Sequence, residues 1–225
     1  MVNGARESLP VTSSDARVEE ELAQHEAMLA VGSPAVRVAV VRDTAVSFGV
    51  AVREDVSYLV RARQEGLSTT RRSTGGTGVL HLPGDLLWAV VRPRSDPTVG
   101  RDFSRAYGRL GKGVVRGLAR LGLMTQWEPA PGLVDEVCTL SSRGEVLVVE
   151  DAIVGGAAQH ATSRALLHHG GISWRVEPGT LDRLFALAPG GPSRRLGGLA
   201  ERLSPAGPQD VARALATALR DDLGG

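Results

Sequence analysis

Val18, Leu22, His25 and Leu29 recur at helical spacing, which predicts a first helix with Ser14 or Asp15 as its cap. The pattern then becomes β-rich: "VRVAVVR" (36–42) and "AVSFGVAV" (45–52) are separated only by Asp43 and Thr44, as in a tight hairpin. Val56, Leu59, Val60 and Arg63 predict a short helix stopping at Gly66. A polar strand, "STTRR" (68–72), is followed by a glycine-rich loop and the apolar run "LLWAVVRP" (86–93), which Pro93 ends. Phe103, Tyr107, Leu110, Val114, Leu118 and Leu121 mark a long amphipathic helix ending at Gly122. Further β-rich stretches are "LVDEVCTL" (133–140), "EVLVVEDAIVGGAAQ" (145–159) and "ALLHHGGISWRV" (165–176). Helical spacing returns at Leu181, Leu184 and Leu187, and at Val211, Leu215 and Leu219, with Pro208 placed for a first helical turn. The prediction is an α+β fold, a mixed β-sheet flanked by helices. Residues 1–14 lack periodic apolar positions and read as a mobile leader, leaving 15–225 as one domain.

Composition narrows the function classes. A net charge of +1 gives no general electrostatic case for nucleic acid, and no run approaches the length of a membrane span. A single cysteine, Cys138, excludes an internal disulfide framework, and the start lacks a secretory pattern, so the expected location is cytoplasmic. Of the 26 basic residues only Lys112 is a lysine, and it falls within the long helix. His168 and His169 are adjacent and on a strand would face opposite sides, so no histidine–metal set is expected. Trp88, Trp127 and Trp174 read as core or rim.

The chemistry-bearing stretch is "RRSTGGTGVLHLPGDLL" (71–87). Glycines permit positive φ and close backbone approach, so Gly75, Gly76 and Gly78 could border an anion or a flat ligand, with Arg71 or Arg72 adding charge. The order GxxxxGK[ST] is missing, and "GGTGVL" lacks the GxGxxG spacing.

This stretch resembles the RRxSGGGAVxHxxGxL motif of the lipoate-protein ligase family, whose catalytic fold is shared with biotin-protein ligases and octanoyltransferases. Arg72, Thr74, Gly75, Gly76 and His81 take motif places, and Thr77 stands at the third glycine. A second segment, "AIVGGAAQHATSRALLHHGGI" (152–172), resembles the family's KIxGxAQ segment followed by an HG turn, through Gly155, Ala158, Gln159, His169 and Gly170. The resemblance implies that both segments face one ligand across a cleft. It also implies ATP, lipoate or octanoate, and a lysine on a lipoyl-carrier or other acyl-carrier protein.

Three positions depart from that pattern. Ala152 replaces the motif lysine and Asp151 is its neighbour, which implies weak adenylate formation unless another group or a second subunit supplies the cation. "GVAV" (49–52) replaces a polar GRxQ-like segment, implying a more apolar ligand end, and Thr77 implies a partly filled nucleotide space. His160, after Gln159, is a candidate ligand contact. Cys138 lies upstream of Ala152, where some octanoyltransferases carry a nucleophile; the local acids Asp135 and Glu136 instead suggest a small core residue in a strand. Three functions therefore stand open: acyl activation and transfer to a carrier lysine, a non-catalytic acyl- or carrier-binding module, and a Cys138-dependent octanoyltransferase.

Overall fold

The computed structural model describes residues 13–97, 99, 103–141 and 144–223. Most of the expected leader lies outside the described residues, but Ser13 and Ser14 already belong to a strand. The strands are β1 (Ser13–Ala16), β2 (Ala35–Val41), β3 (Ala45–Phe48), β4 (Ser68–Arg71), β5 (Gly78–His81), β6 (Leu86–Pro93), β7 (Thr125–Pro129), β8 (Glu145–Val149), β9 (Ala152–Ala161) and β10 (Ala165–Ile172). The helices are α1 (Val18–Val31), α2 (Ser57–Gln64), α3 (Phe103–Ala119), α4 (Pro178–Phe185) and α5 (Pro208–Leu223). Among the described residues no helix is long and apolar enough to cross a membrane.

A seven-stranded sheet runs β1-β2-β6-β10-β9-β8-β7, with β1 parallel to β2 and the other pairs antiparallel. A three-stranded sheet, β4-β3-β5, pairs β3 parallel with β4 and antiparallel with β5. The expected hairpin between β2 and β3 therefore does not form. Asp43, at the turn, accepts the Val18 N–H at 2.9 Å, tying it to the start of α1 while β3 enters the smaller sheet. Arg17, rather than Ser14 or Asp15, is the N-cap, and its N–H donates to Glu20 at 3.0 Å. All four residues of β3 are buried, as a strand covered on both faces must be.

The continuous apolar run of β6 has the same cause. Leu86, Trp88 and Val90 join a core with Val114, Leu118 and Leu215 from α3 and α5. Leu87, Ala89 and Val91 face the opposite side, with Leu22 and Leu29 of α1. A further core joins β3, α2 and α4 to Val146, Val148 and Ile153 of the larger sheet, so the small sheet is seated beside β8 and β9. "LVDEVCTL" is not a strand. Its residues turn, and only an isolated bridge joins Val137 to Gly78.

Glycine is required where strands crowd. A Cβ on Gly155 would lie 2.3 Å from the Gly171 carbonyl oxygen, and one on Gly170 would lie 2.2 Å from that of Gly156. The β9–β10 pairing at the heart of the second motif thus depends on residues without side chains.

Candidate functional site

Between the small sheet and strands β9 and β10 lies a cavity of about 100 Å³. Arg72, Val79, Leu80 and His81 supply one wall, Ile153, Gly155, Gly156 and Ala158 face them, and His169 and Gly170 lie alongside. The two sequence segments do meet across one cleft. Leu22, Leu82, Val137 and Ile172 also contribute, making most of the surroundings hydrocarbon.

The other expected residues stand behind this wall. Thr74 is buried and pairs with His169 Nε2 at 2.8 Å. Gly75 and Thr77 present carbonyl oxygens to Arg72 Nη2, at 3.2 and 3.0 Å. Gly78 fits against Tyr58 and Phe185, where a Cβ would come within 2.8 and 2.6 Å. Thr77, Gln159 and His160 do not line the cavity. Nor does "GVAV" form its end. Arg71 Nη1 donates to the Val50 and Val52 carbonyls, and Val50 and Ala51 are exposed.

Arg72 is the electrostatic centre of the site. Its side chain is buried, and its hydrogen bonds go to Ser47 Oγ at 2.7 Å and to the carbonyls of Gly75 and Thr77. All of these acceptors are neutral. Burial pushes Arg72 below the usual guanidinium range, yet arginine remains protonated, so the wall contains a desolvated charge without a carboxylate partner among the described residues.

Cys138 lies beside that charge. A Cβ on Gly76 would sit 2.6 Å from Cys138 Sγ and 3.2 Å from Arg72 Nη2; Gly76, at φ +90°, leaves the space that the thiol and the guanidinium both border. Cys138 lines the cavity, whereas Asp135 and Glu136 point to solvent. The strand-core expectation for this cysteine is therefore corrected: its defining neighbour is a cation from another part of the chain.

Beside Ala152, at the place of the motif lysine, stands an arginine from another part of the chain. The Ile153–Leu196 bridge brings Gly197 against β9; a Cβ there would lie 2.7 Å from Ala152 Cβ and 3.5 Å from Arg202 Nη1. That arginine is already engaged, donating to the Gly198 carbonyl at 2.8 Å and pairing with Glu150 at 3.5 Å. Lys112 is exposed on α3.

Sequence reasoning missed Ser47, Asp85 and His25. Ser47 lines the cavity between Arg72 and His81, and a lone polar residue within an apolar strand was its signal. Asp85 accepts the backbone N–H groups of Leu82 and Trp174. His25 Nδ1 meets His169 Nδ1 at 3.0 Å, and its Nε2 meets Glu21 at 3.1 Å. Glu21 in turn receives Arg37 Nε at 2.7 Å, a buried polar chain supporting the cavity wall from α1. His168 faces the opposite way, edge-on to Trp88 and Tyr107.

These buried histidines make stability depend on pH. Burial lowers His81 and His168 to about 3, with the Arg72 charge also acting on His81, and burial lowers His169 well below its ordinary value. The folded chain resists protons that the unfolded chain accepts, so this stability is complete above about pH 6.5 and is lost as pH falls. Each histidine should remove about 1.4 kcal/mol per pH unit below that point. Asp85, raised to about 7 by burial, acts oppositely, favouring the fold as pH drops through 7 toward its unfolded value. Three histidines outweigh one carboxyl. Denaturant unfolding should show stability falling from pH 6.5 to 5, with a shallower slope in His168→Phe; a flat profile would contradict the neutral-histidine assignment.

A mixed sheet with an apolar cavity, a buried arginine and facing glycine-rich walls defines the acyl-ligase class of fold. Residues 15–220 match the family model described as lipoyl protein ligase A/B catalytic domain, and the chain belongs to that family. It is 32% identical over 131 residues to octanoyltransferase LipM of Macrococcus caseolyticus, covering 54% of this chain and 46% of that protein. It is 30% identical over 135 residues to octanoyltransferase LipM of Staphylococcus aureus, covering 56% and 47%. The matches thus span about half the length of these relatives. Lipoate-protein ligase A bound with ATP shares the fold with a TM-score of 0.75 at 23% identity, covering 96% of this chain and 84% of that one. The bipartite lipoate protein ligase of Thermoplasma acidophilum does so at 0.73 and 21%, with the same coverage.

Proposed function

We propose that this chain transfers a medium-length acyl group, octanoyl in the first instance, through a thioester on Cys138. The observation that carries this reading is the buried guanidinium of Arg72, with no carboxylate partner among the described residues, lining the same apolar cavity as Cys138, with both groups close around Gly76. A desolvated cation is best compensated by negative charge appearing on the sulfur or the acyl oxygen during reaction. Hydrocarbon walls suit the acyl chain, and the relatives' names supply octanoyl as its chemistry.

In the proposed first step, the Cys138 sulfur bonds to the carbonyl carbon of a carrier-bound octanoyl thioester. The carbon–sulfur bond to the carrier breaks, and the departing thiol ends with the proton that Cys138 loses. In the second, the uncharged amine of a carrier lysine attacks the Cys138 thioester; an amide forms and the cysteine regains a proton. Neither step consumes ATP.

An adenylation route is less well supported. Ala152 contributes no charge, and the nearby Arg202 is engaged by Gly198 and Glu150. The roles of Arg72, His81, Gly155, Ala158, His169 and Gly170 in this reading are to shape the acyl site, with Gly75 and Thr77 holding the arginine through their carbonyls, Gly76 leaving room beside it and Thr74 holding His169. Ala152 also favours a second reading, an acyl- or carrier-binding module without turnover.

The test supplies octanoyl thioester on an acyl-carrier protein and a lipoyl domain as acceptor, without ATP. Octanoylated lipoyl domain is the expected product. Product only from free octanoate plus ATP would replace this reading with a ligase, and bound ligand without product would leave the binding module.

A further inference from the structure

Ser47 is buried completely in β3 and has two polar neighbours among the described residues. Arg72 Nη1 lies 2.7 Å from its Oγ and can only donate, because a guanidinium has no acceptor. The serine's own proton must therefore go elsewhere. His81 Nε2, also at 2.7 Å, is the acceptor within reach. The opposite arrangement, Nε2–H donating to Ser47, would leave a buried hydroxyl proton without a partner, which native interiors avoid.

An imidazole that accepts at Nε2 and is uncharged must carry its hydrogen on Nδ1. Burial and the charge of Arg72 keep His81 uncharged at neutral pH. Its Nδ1 has no partner among the described residues and is not among their sealed, unpaired polar atoms. The ring lines the same cavity as Cys138 and Arg72.

We propose that Ser47 is a positioning residue that fixes His81 as the Nδ1–H tautomer, making this nitrogen a neutral hydrogen-bond donor to the oxygen of an acyl group in the cavity. The ligand class is a carbonyl or carboxylate at the head of an aliphatic chain. A neutral donor beside the fixed Arg72 charge binds either form. The identity of that oxygen as a reacting thioester carbonyl rests on the Cys138 reading; the tautomer does not.

The test is long-range proton–nitrogen NMR on the full chain with nitrogen-labelled histidine, His81 being assigned by the signals lost in His81→Gln. The wild type should show the Nδ1–H form, and octanamide, a neutral acyl probe, should shift the Nδ1 resonance. Ser47→Ala should move the ring toward Nε2–H, and Ser47→Thr should restore the wild-type form. An Nε2–H ring in the wild type overturns the proposal even if no variant folds. So does a tautomer unchanged by Ser47→Ala in a folded protein, or an Nδ1 signal indifferent to octanamide. If the tautomer and octanamide shift are found but Cys138 never acquires an acyl group, the donor assignment stands and the cysteine reading fails.

Discussion

Arg72→Met should lower acyl transfer about 100- to 1000-fold, the range seen when one preorganised group that stabilises developing charge is removed. Methionine retains much of the aliphatic reach and loses the guanidinium. Its effect on stability has opposing parts: a desolvated charge disappears, but Ser47 Oγ and the carbonyls of Gly75 and Thr77 lose their donor. Activity should therefore fall far more than stability. Arg72→Lys retains charge but lacks the forked donors that reach both Ser47 and the loop carbonyls, so it should recover only part of the rate. The check is transfer from octanoyl thioester measured beside denaturant unfolding; full activity in Arg72→Met would remove the electrostatic basis of the site.

Gly76→Ala should damage both fold and chemistry. At φ +90° an alanine is strained by about 1–3 kcal/mol, and its Cβ would lie 2.6 Å from Cys138 Sγ and 3.2 Å from Arg72 Nη2. The methyl group must push apart the two groups that the site brings together. A displacement near 1 Å at reacting atoms can cost about 100-fold in rate, and a loss of that size is expected here. Gly75 is the control. No atom lies within 4 Å of its added Cβ, and it has no positive φ, so Gly75→Ala should stay within about 0.5 kcal/mol of the wild type. Equal damage from both variants would mean that general loop flexibility, not the Gly76 contact, is what the glycines provide.

Much of the fold was legible because periodicity reports burial. Strand β6 reads as an unbroken apolar run because both of its faces are covered, and α1 shows its inward stripe at Val18, Leu22, His25 and Leu29. Pairing was less legible. Nothing in the pattern of β2 and β3 distinguishes a hairpin from two strands entering different sheets, since their partners are distant in sequence and Asp43, at the turn, bonds to the start of α1. The two glycine-rich walls could be recognised from their motifs, but the residues behind them could not be separated from those lining the cavity. Thr74 and Gln159 share those motifs without facing the space.

Cys138 shows the same limit for chemistry. Its sequence neighbours are acids that the turn directs into solvent, while its spatial neighbour is an arginine delivered by the small sheet. Local sequence thus suggested the wrong electrostatic surroundings. His25 likewise fits a core stripe, and its contact with His169 lies 144 positions away. Ser47 was the more readable case, as a hydroxyl in a strand with no exposed face needs a specific partner.

The most direct measurement is intact mass after incubation with octanoyl-carrier thioester, followed by peptide mapping. The account predicts one octanoyl group on Cys138, absent from Cys138→Ala and discharged when an acceptor lipoyl domain is added. Octanoylation of the acceptor at an unchanged rate by Cys138→Ala, with no adduct on the wild type at any time, would contradict it.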